Sequence, residues 1–79
     1  MPKLLIVLPV FNEEQIIQRN TLKLLDFCHG KLNNLNWQIS ISDNASTDKT
    51  AEIARELANQ DQKIKYFYKK NITSIFDLR

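Results

Sequence analysis

Apolar and polar positions follow two different periods along this chain, and the periods take turns. Leu4-Leu5-Ile6-Val7-Leu8 is a continuous run of branched apolar side chains. A run without alternation suits a strand buried on both faces, as parallel strands are, and Pro9, which cannot donate to a ladder, is expected to end it. From Glu13 to about His29 the apolar spacing becomes one, three and four: Ile16, Ile17, Asn20, Thr21, Leu24, Leu25 and Cys28 form one mostly apolar stripe of an amphipathic helix. Asn12 is placed to cap that helix, Glu13 and Glu14 to complement its dipole, and Gly30 to form a left-handed C-cap. His29 is expected in the last turn, near the negative end of the same dipole. Trp37-Gln38-Ile39-Ser40-Ile41-Ser42 alternates and predicts a second strand. After a turn at Asp43, Ile53, Ala54, Leu57 and Ala58 mark one face of a second helix ending near Asn59. Ile64-Lys65-Tyr66-Phe67-Tyr68 then reads as a third strand. The predicted order β-α-β-α-β implies an α/β fold with an open parallel sheet and right-handed crossovers.

Size and composition narrow the reading. Seventy-nine residues make one small domain or a piece of a larger one. A net charge of +2 is too small to argue for nucleic acid or an anionic membrane. Cys28 is the sole cysteine, so it reads as a small core hydrophobe, and neither a disulfide framework nor a cysteine-based zinc site forms within one chain. The opening run is too short to span a bilayer and has no small-residue cleavage pattern, which makes the cytosol the default compartment. The sequons at Asn44 and Asn71 are therefore read as chance matches.

The chemistry gathers where strands end. Pro9-Val10-Phe11-Asn12-Glu13-Glu14 and Asp43-Asn44-Ala45-Ser46-Thr47-Asp48-Lys49 follow the first and second strands. In an open parallel sheet ligands bind just beyond the carboxyl ends of strands, so neighbouring strands would open both loops into one crevice. An aromatic ring, an amide and the carboxylates of Glu13 and Asp43 suit a nucleoside, whose base N–H groups and ribose hydroxyls donate to carboxylates. They suit a bare phosphate poorly. The same residues also fit plain scaffolding, with Pro9 ending a strand and Asn12, Thr47 or Asp48 capping helices. Periodicity leaves both readings open. Dinucleotide and P-loop phosphate cradles are absent by motif. A receiver-like module fails for want of an aspartate in Tyr68-Lys69-Lys70. A Ser-His-Asp triad would need His29, far from the strand ends. The basic and aromatic run from Lys63 to Lys70 alternates as an ordinary strand does rather than as a single-strand binder.

Together, Leu8-Pro9-Val10-Phe11-Asn12-Glu13-Glu14 and Asp43-Asn44-Ala45-Ser46-Thr47-Asp48-Lys49-Thr50 resemble the start of a family 2 glycosyltransferase, of the GT-A class that uses nucleotide-diphospho-sugars and includes dolichyl-phosphate and polyprenyl-phosphate sugar transferases. The resemblance covers residues 3 to about 69 and implies the Rossmann-like N-terminal half of a GT-A fold, with residues 1–70 as the nucleotide-sugar-binding part and 71–79 unassigned. It implies that Pro9 and Phe11, with Val10 between them, line the base or ribose. Glu13 would approach the nucleoside, and Asp43 would bond the base with Asn44 beside it. Many members carry glycine where Ala45 and Lys49 stand, so a left-handed backbone at Ala45 would cost energy.

The resemblance further implies a UDP- or GDP-sugar donor, a lipid-phosphate or glycan acceptor, and a divalent metal such as Mg or Mn. In the family a later Asp-x-Asp motif holds that metal on the diphosphate. Here the chain runs Lys69-Lys70-Asn71-Ile72-Thr73, and Asp77 stands alone before Leu78 and Arg79, so the metal ligands, the acceptor side and the catalytic base are all missing. The loss of match near residue 70 is read as truncation or a shifted reading frame; an intact stop codon with no downstream Asp-x-Asp in any frame would sink that hypothesis. The expectation is a donor-binding piece with no catalytic residue of its own, cytoplasmic or peripheral at the cytoplasmic membrane face in the intact enzyme. The alternative is a non-catalytic α/β interaction module that self-associates through an exposed sheet edge.

Overall fold

The computed structural model describes residues 3–69. Its elements are β1 (Lys3–Val10), α1 (Ile17–Lys31), β2 (Asn36–Asn44), α2 (Thr50–Gln60) and β3 (Ile64–Lys69). The strands form one parallel sheet in the order β1-β2-β3, so the α/β order and the parallel pairing read from the sequence hold. Residues 70–79, including Asn71 and the lone Asp77, lie outside the described part.

Because the order advances in one direction, right-handed crossovers place both helices on the same side of the sheet. Burial agrees. Trp37, Ile39, Ile41 and Asp43 of β2 are buried on the helix side, in register with Leu4, Ile6, Leu8 and Val10 of β1. Ile17 and Cys28 of α1 and Ala54 and Leu57 of α2 complete this core with Ile64. Their spacings of eleven on α1 and three on α2 fall on one helical face, which is why the two stripes are legible in the sequence. Leu24, Leu25, Ile53 and Ala58 pack half-buried at its margin.

Several expectations need correction. Among the described residues β1 is an edge strand, not one buried on both faces: Leu5 and Val7 are 55% and 56% exposed. Its uninterrupted apolar run arises because one row meets the core while the other row, although apolar, is uncovered. Pro9 does not end β1; it pairs with Ser42, as an edge strand allows, and the strand runs on to Val10. Helix α1 begins at Ile17, not Glu13, with no side-chain cap and no acidic residue in its first turn. Residues 14–16 form a turn instead, in which Glu13 O accepts the N–H groups of Ile16 and Ile17. Ile16 and Asn20, expected on the buried stripe, are exposed. Gly30 lies inside the helix without a positive φ, and Leu32 closes the end by donating to Cys28 O. His29 does sit in the last turn, edge-on to the Trp37 ring at 5.0 Å and 3.6 Å from Asp61 Oδ2.

Candidate functional site

Val10 pairs with Asp43, so the loops leaving β1 and β2 emerge side by side from the same end of the sheet. Asn12 joins them. Its φ is 49°, a left-handed conformation that asparagine tolerates better than most residues. In that pose its N–H donates to Ser46 Oγ at 2.8 Å, and its Oδ1 accepts from Thr47 N at 2.8 Å and Asp48 N at 3.3 Å. Next along the chain, Glu13 N donates to Thr50 Oγ1 at 2.7 Å and Glu14 N to Asp48 Oδ2 at 3.3 Å. Glu14 answers by accepting Lys49 N at Oε1, 2.8 Å away. Asn12 and Glu14 therefore serve α2 rather than α1, which the spacing alone did not reveal.

These bonds have a chemical consequence for anions. The N–H groups of Thr47, Asp48, Lys49 and Thr50 are all accepted by side chains, from Asn12, Asn12, Glu14 and Asp48 respectively. A phosphate would find the start of α2 already occupied and two carboxylates beside it. Burial opposes ionisation of Asp48, but hydrogen bonds from the Thr50 side chain and backbone and from Glu14 outweigh it and hold its carboxyl below the usual range. The second left-handed residue is Ala45, at φ 63° and buried. Without the glycine that suits this pose, the turn carries strain of about 1–2 kcal/mol.

Asp43 over-determines that turn. It is fully buried; Oδ1 accepts Ser46 N at 3.0 Å and Oδ2 accepts the Tyr66 hydroxyl at 2.6 Å. Burial first, and then the hydrogen bond and charge of Asp43, push the Tyr66 hydroxyl pKa well above its ordinary value. The Arg55 guanidinium lies 5.6 Å from the centre of the same ring. Nothing in the one-dimensional pattern named Tyr66. Its only signal is position: β3 places Tyr66 beside Ile41 and Tyr68 beside Asp43 on the core-facing row, and the register must be known to see it.

The remaining expected residues divide by exposure. Phe11 is 54% exposed, and Pro9 and Asn44 are exposed, so all three are open to a ligand. Val10 is buried in the core, where its side chain anchors the start of the loop. Glu13 is half-buried, and among the described residues its carboxylate accepts no hydrogen bond. With Asn12, Glu14, Gln15, Ile16 and Asp48 it lines a cavity of about 430 Å³. Thus Asn12, Glu13 and the Asp43 turn converge on one rim, with Phe11 on the loop between.

A divalent cation does not fit this rim. Glu14 and Asp48 spend their carboxylates on backbone N–H groups, and Asp43 is buried against Tyr66. Among the described residues no three His, Cys, Asp or Glu side chains stand close enough to share a metal. No helix of the described residues is long and apolar enough to cross a membrane.

Residues 5–72 match the model of the family described as Glycosyl transferase family 2. The chain is 30% identical over 73 residues to the GalNAc(5)-diNAcBac-PP-undecaprenol beta-1,3-glucosyltransferase of Campylobacter jejuni subsp. jejuni, covering 90% of this chain and 21% of that protein. It is 29% identical over 68 residues to an uncharacterized glycosyltransferase of Haemophilus influenzae, covering 86% of this chain and 25% of that protein. The chain thus spans about a fifth to a quarter of the length of these relatives.

Proposed function

We propose that this chain, which belongs to glycosyl transferase family 2, binds the nucleoside end of a nucleotide-diphospho-sugar in the crevice at the carboxyl ends of β1 and β2. The observation that carries the reading is the cross-loop lattice centred on Asn12, which fuses the two strand-end loops into one rim while leaving the Glu13 carboxylate unspent. A site of this kind is held by its own packing before any ligand arrives. Glu13 accepts from ribose hydroxyls, Phe11 and Pro9 give apolar surface to the base or sugar ring, and Asn44 adds an amide at the edge. Asp43 reads a base N–H: a carboxylate has about four lone-pair positions, and two are in use here. Because Asp43 is buried and bonded to Tyr66, the base reaches it in competition with the Tyr66 hydroxyl.

The donor is a UDP- or GDP-sugar, since uracil and guanine both offer N–H groups to a carboxylate. The acidic rim would repel the diphosphate, and its divalent cation would find the carboxylates of Glu14 and Asp48 already spent on backbone N–H groups. The whole enzyme would transfer the sugar to a lipid-phosphate or glycan acceptor; the 79-residue chain binds the donor weakly and transfers nothing.

Calorimetric titration of the full chain with UDP- and GDP-sugars tests this. Phe11→Ala and Glu13→Gln sit at exposed or half-buried positions and leave the core intact, and each should weaken binding by about tenfold, the equivalent of one good contact. A folded chain that binds neither donor at millimolar concentration overturns the reading in favour of a non-catalytic α/β module. Sugar transfer by the purified chain would overturn the prediction of inactivity.

A further inference from the structure

Strand β3 bonds β2 along one side only, and its other side runs beside α2. Ile39 N donates to Lys63 O, whereas Ile64 N turns away from β2 and donates to Asp61 O at 3.0 Å. Successive residues of a strand turn their N–H and C=O groups to opposite sides. Lys65, Phe67 and Lys69 therefore bond β2, and Tyr66 and Tyr68 direct their main-chain groups outward. Among the described residues no strand meets them. A groove of about 410 Å³ lies between this edge and α2, lined by Arg55, Ala58, Asn59, Ile64, Lys65 and Tyr66. No Asp or Glu lines it. The Arg55 guanidinium rests 5.6 Å from the centre of the Tyr66 ring, and among the described residues neither it nor the Lys65 ammonium pairs with a carboxylate. Ala58 is small enough to let another backbone approach.

We propose that this edge takes up an extended segment of a partner polypeptide as a fourth strand, one carrying carboxylates on two consecutive residues. A strand added to β3 would lie about 4.8 Å from it and repeat its alternation. One of its rows then faces α2 and Arg55. The other lies on the side of the sheet that Lys65 shares with Ser40, so two adjacent acidic residues each meet a cation. The main-chain groups of Tyr66 and Tyr68 supply affinity, and the two charges supply specificity. Charge also disfavours a second copy of this chain, because antiparallel pairing of two β3 strands about Phe67 sets Lys65 against Lys69 at both ends. Lysines guard exposed edges against self-pairing in this way, and the same lysines leave the edge open to an acidic strand. Tyr66 takes part through its main chain alone, and its hydroxyl stays on Asp43. The inference therefore does not depend on the nucleoside reading.

Peptides of about eight residues, the length of an ordinary strand, test this against the isotope-labelled full chain. One is rich in valine and threonine with two adjacent glutamates at its centre; a second has two lysines there; a third is the acidic peptide with its central nitrogens methylated. The acidic peptide should shift the amides of Arg55 and of residues 64–69, and should slow exchange of the Tyr66 and Tyr68 N–H groups. The basic and the methylated peptides should each bind at least about tenfold more weakly. Arg55→Glu and Lys65→Glu should weaken the acidic peptide and strengthen the basic one, and both positions are exposed, so circular dichroism should show an unchanged fold. Tyr68→Pro removes an outward N–H without touching the ladder to β2, and should abolish the protection. Equal binding of the acidic and basic peptides, or undiminished binding of the methylated one, overturns the proposal. So do shifts confined to β1 or the strand-end loops, a dimer in the ultracentrifuge paired through β3, or no binding at millimolar peptide.

Discussion

Replacing Asn12 dissects the joint between the two loops. Asn12→Ala removes the amide oxygen that accepts Thr47 N and Asp48 N. Both bonds are at the surface, where water partly replaces them, so each contributes at the low end of the range, about 0.5 kcal/mol. Alanine must also hold φ 49°, at about 1–2 kcal/mol. The total loss is about 2–3 kcal/mol, against a global stability of about 4–12 kcal/mol for a domain of this length. Asn12→Gly loses the same two bonds without the steric cost, but its looser unfolded chain costs about 0.4–1 kcal/mol. The glycine variant should therefore be more stable than the alanine variant by about 0.5–1 kcal/mol. Asn12→Asp keeps both the acceptor and the tolerance for positive φ, and should stay within about 0.5 kcal/mol of the parent. Urea titration followed by Trp37, the sole tryptophan and 3% exposed, reads these differences. With a slope near 1 kcal/mol/M the alanine variant should lose about 2 M of midpoint. The expected order is parent and aspartate, then glycine, then alanine. An alanine variant as stable as the parent would show that Asn12 joins nothing, and one equal to glycine would remove the strain argument.

Three further outcomes follow from the Tyr66 and Thr21 hydroxyls. The Tyr66 pKa is raised in the folded chain, so its contribution to stability is complete below the ordinary tyrosine value near 10 and drains away as pH rises through the folded value. Titration at 295 nm should show one tyrosine ionising late, with Asp43→Asn moving it back toward the ordinary value; two tyrosines titrating together in the parent would refute the coupling. Tyr66→Phe should lower stability yet tighten donor binding, since the base no longer displaces a phenol, and looser binding would refute the displacement. Thr21 is fully buried on α1 with no hydrogen-bond partner for Oγ1 among the described residues, so Thr21→Val should raise the urea midpoint by the equivalent of about 1 kcal/mol, and a lowered midpoint would refute it.

What could be read in the sequence was what period alone determines. The stripes Ile17-Thr21-Cys28 and Ala54-Leu57 and the alternation of β2 each depend on residues a few positions apart, and the structure keeps them. The errors arose where a residue's partner lies more than thirty positions away. Asn12 before an apolar stripe has the local signature of a cap, but its amide is claimed by Thr47 and Asp48, 35 and 36 residues on. Glu14 belongs to the start of α2 for the same reason. Gly30 was misread in another way: local statistics favour a left-handed C-cap, yet α1 continues one residue further and closes by the Leu32 bond to Cys28 O. Asp43 was located correctly at the end of β2, but its burial and its bond to Tyr66 depend on β3 lying on the far side, which no spacing encodes.

As a sum, the net charge of +2 is too small to argue for nucleic acid or an anionic membrane. Its distribution is a different matter. Glu13, Glu14 and Asp48 line the cavity at the carboxyl ends of the strands, whereas Lys3, Lys65 and Lys69 share a face that carries no carboxylate. The period of two separates them: on β3 it sends Lys65 and Lys69 to the side opposite Tyr66, and on β1 it sends Lys3 opposite Leu4. An acidic rim accepts hydrogen bonds from neutral donors such as base N–H groups and ribose hydroxyls and repels phosphate; a sheet face carrying lysines and no carboxylate attracts anions. These requirements conflict if placed on one surface. The one-directional strand order is what keeps them apart, because it places both helices on one side of the sheet and, among the described residues, leaves the other side to the lysines, while the loop after Val10 turns back over the end of β2.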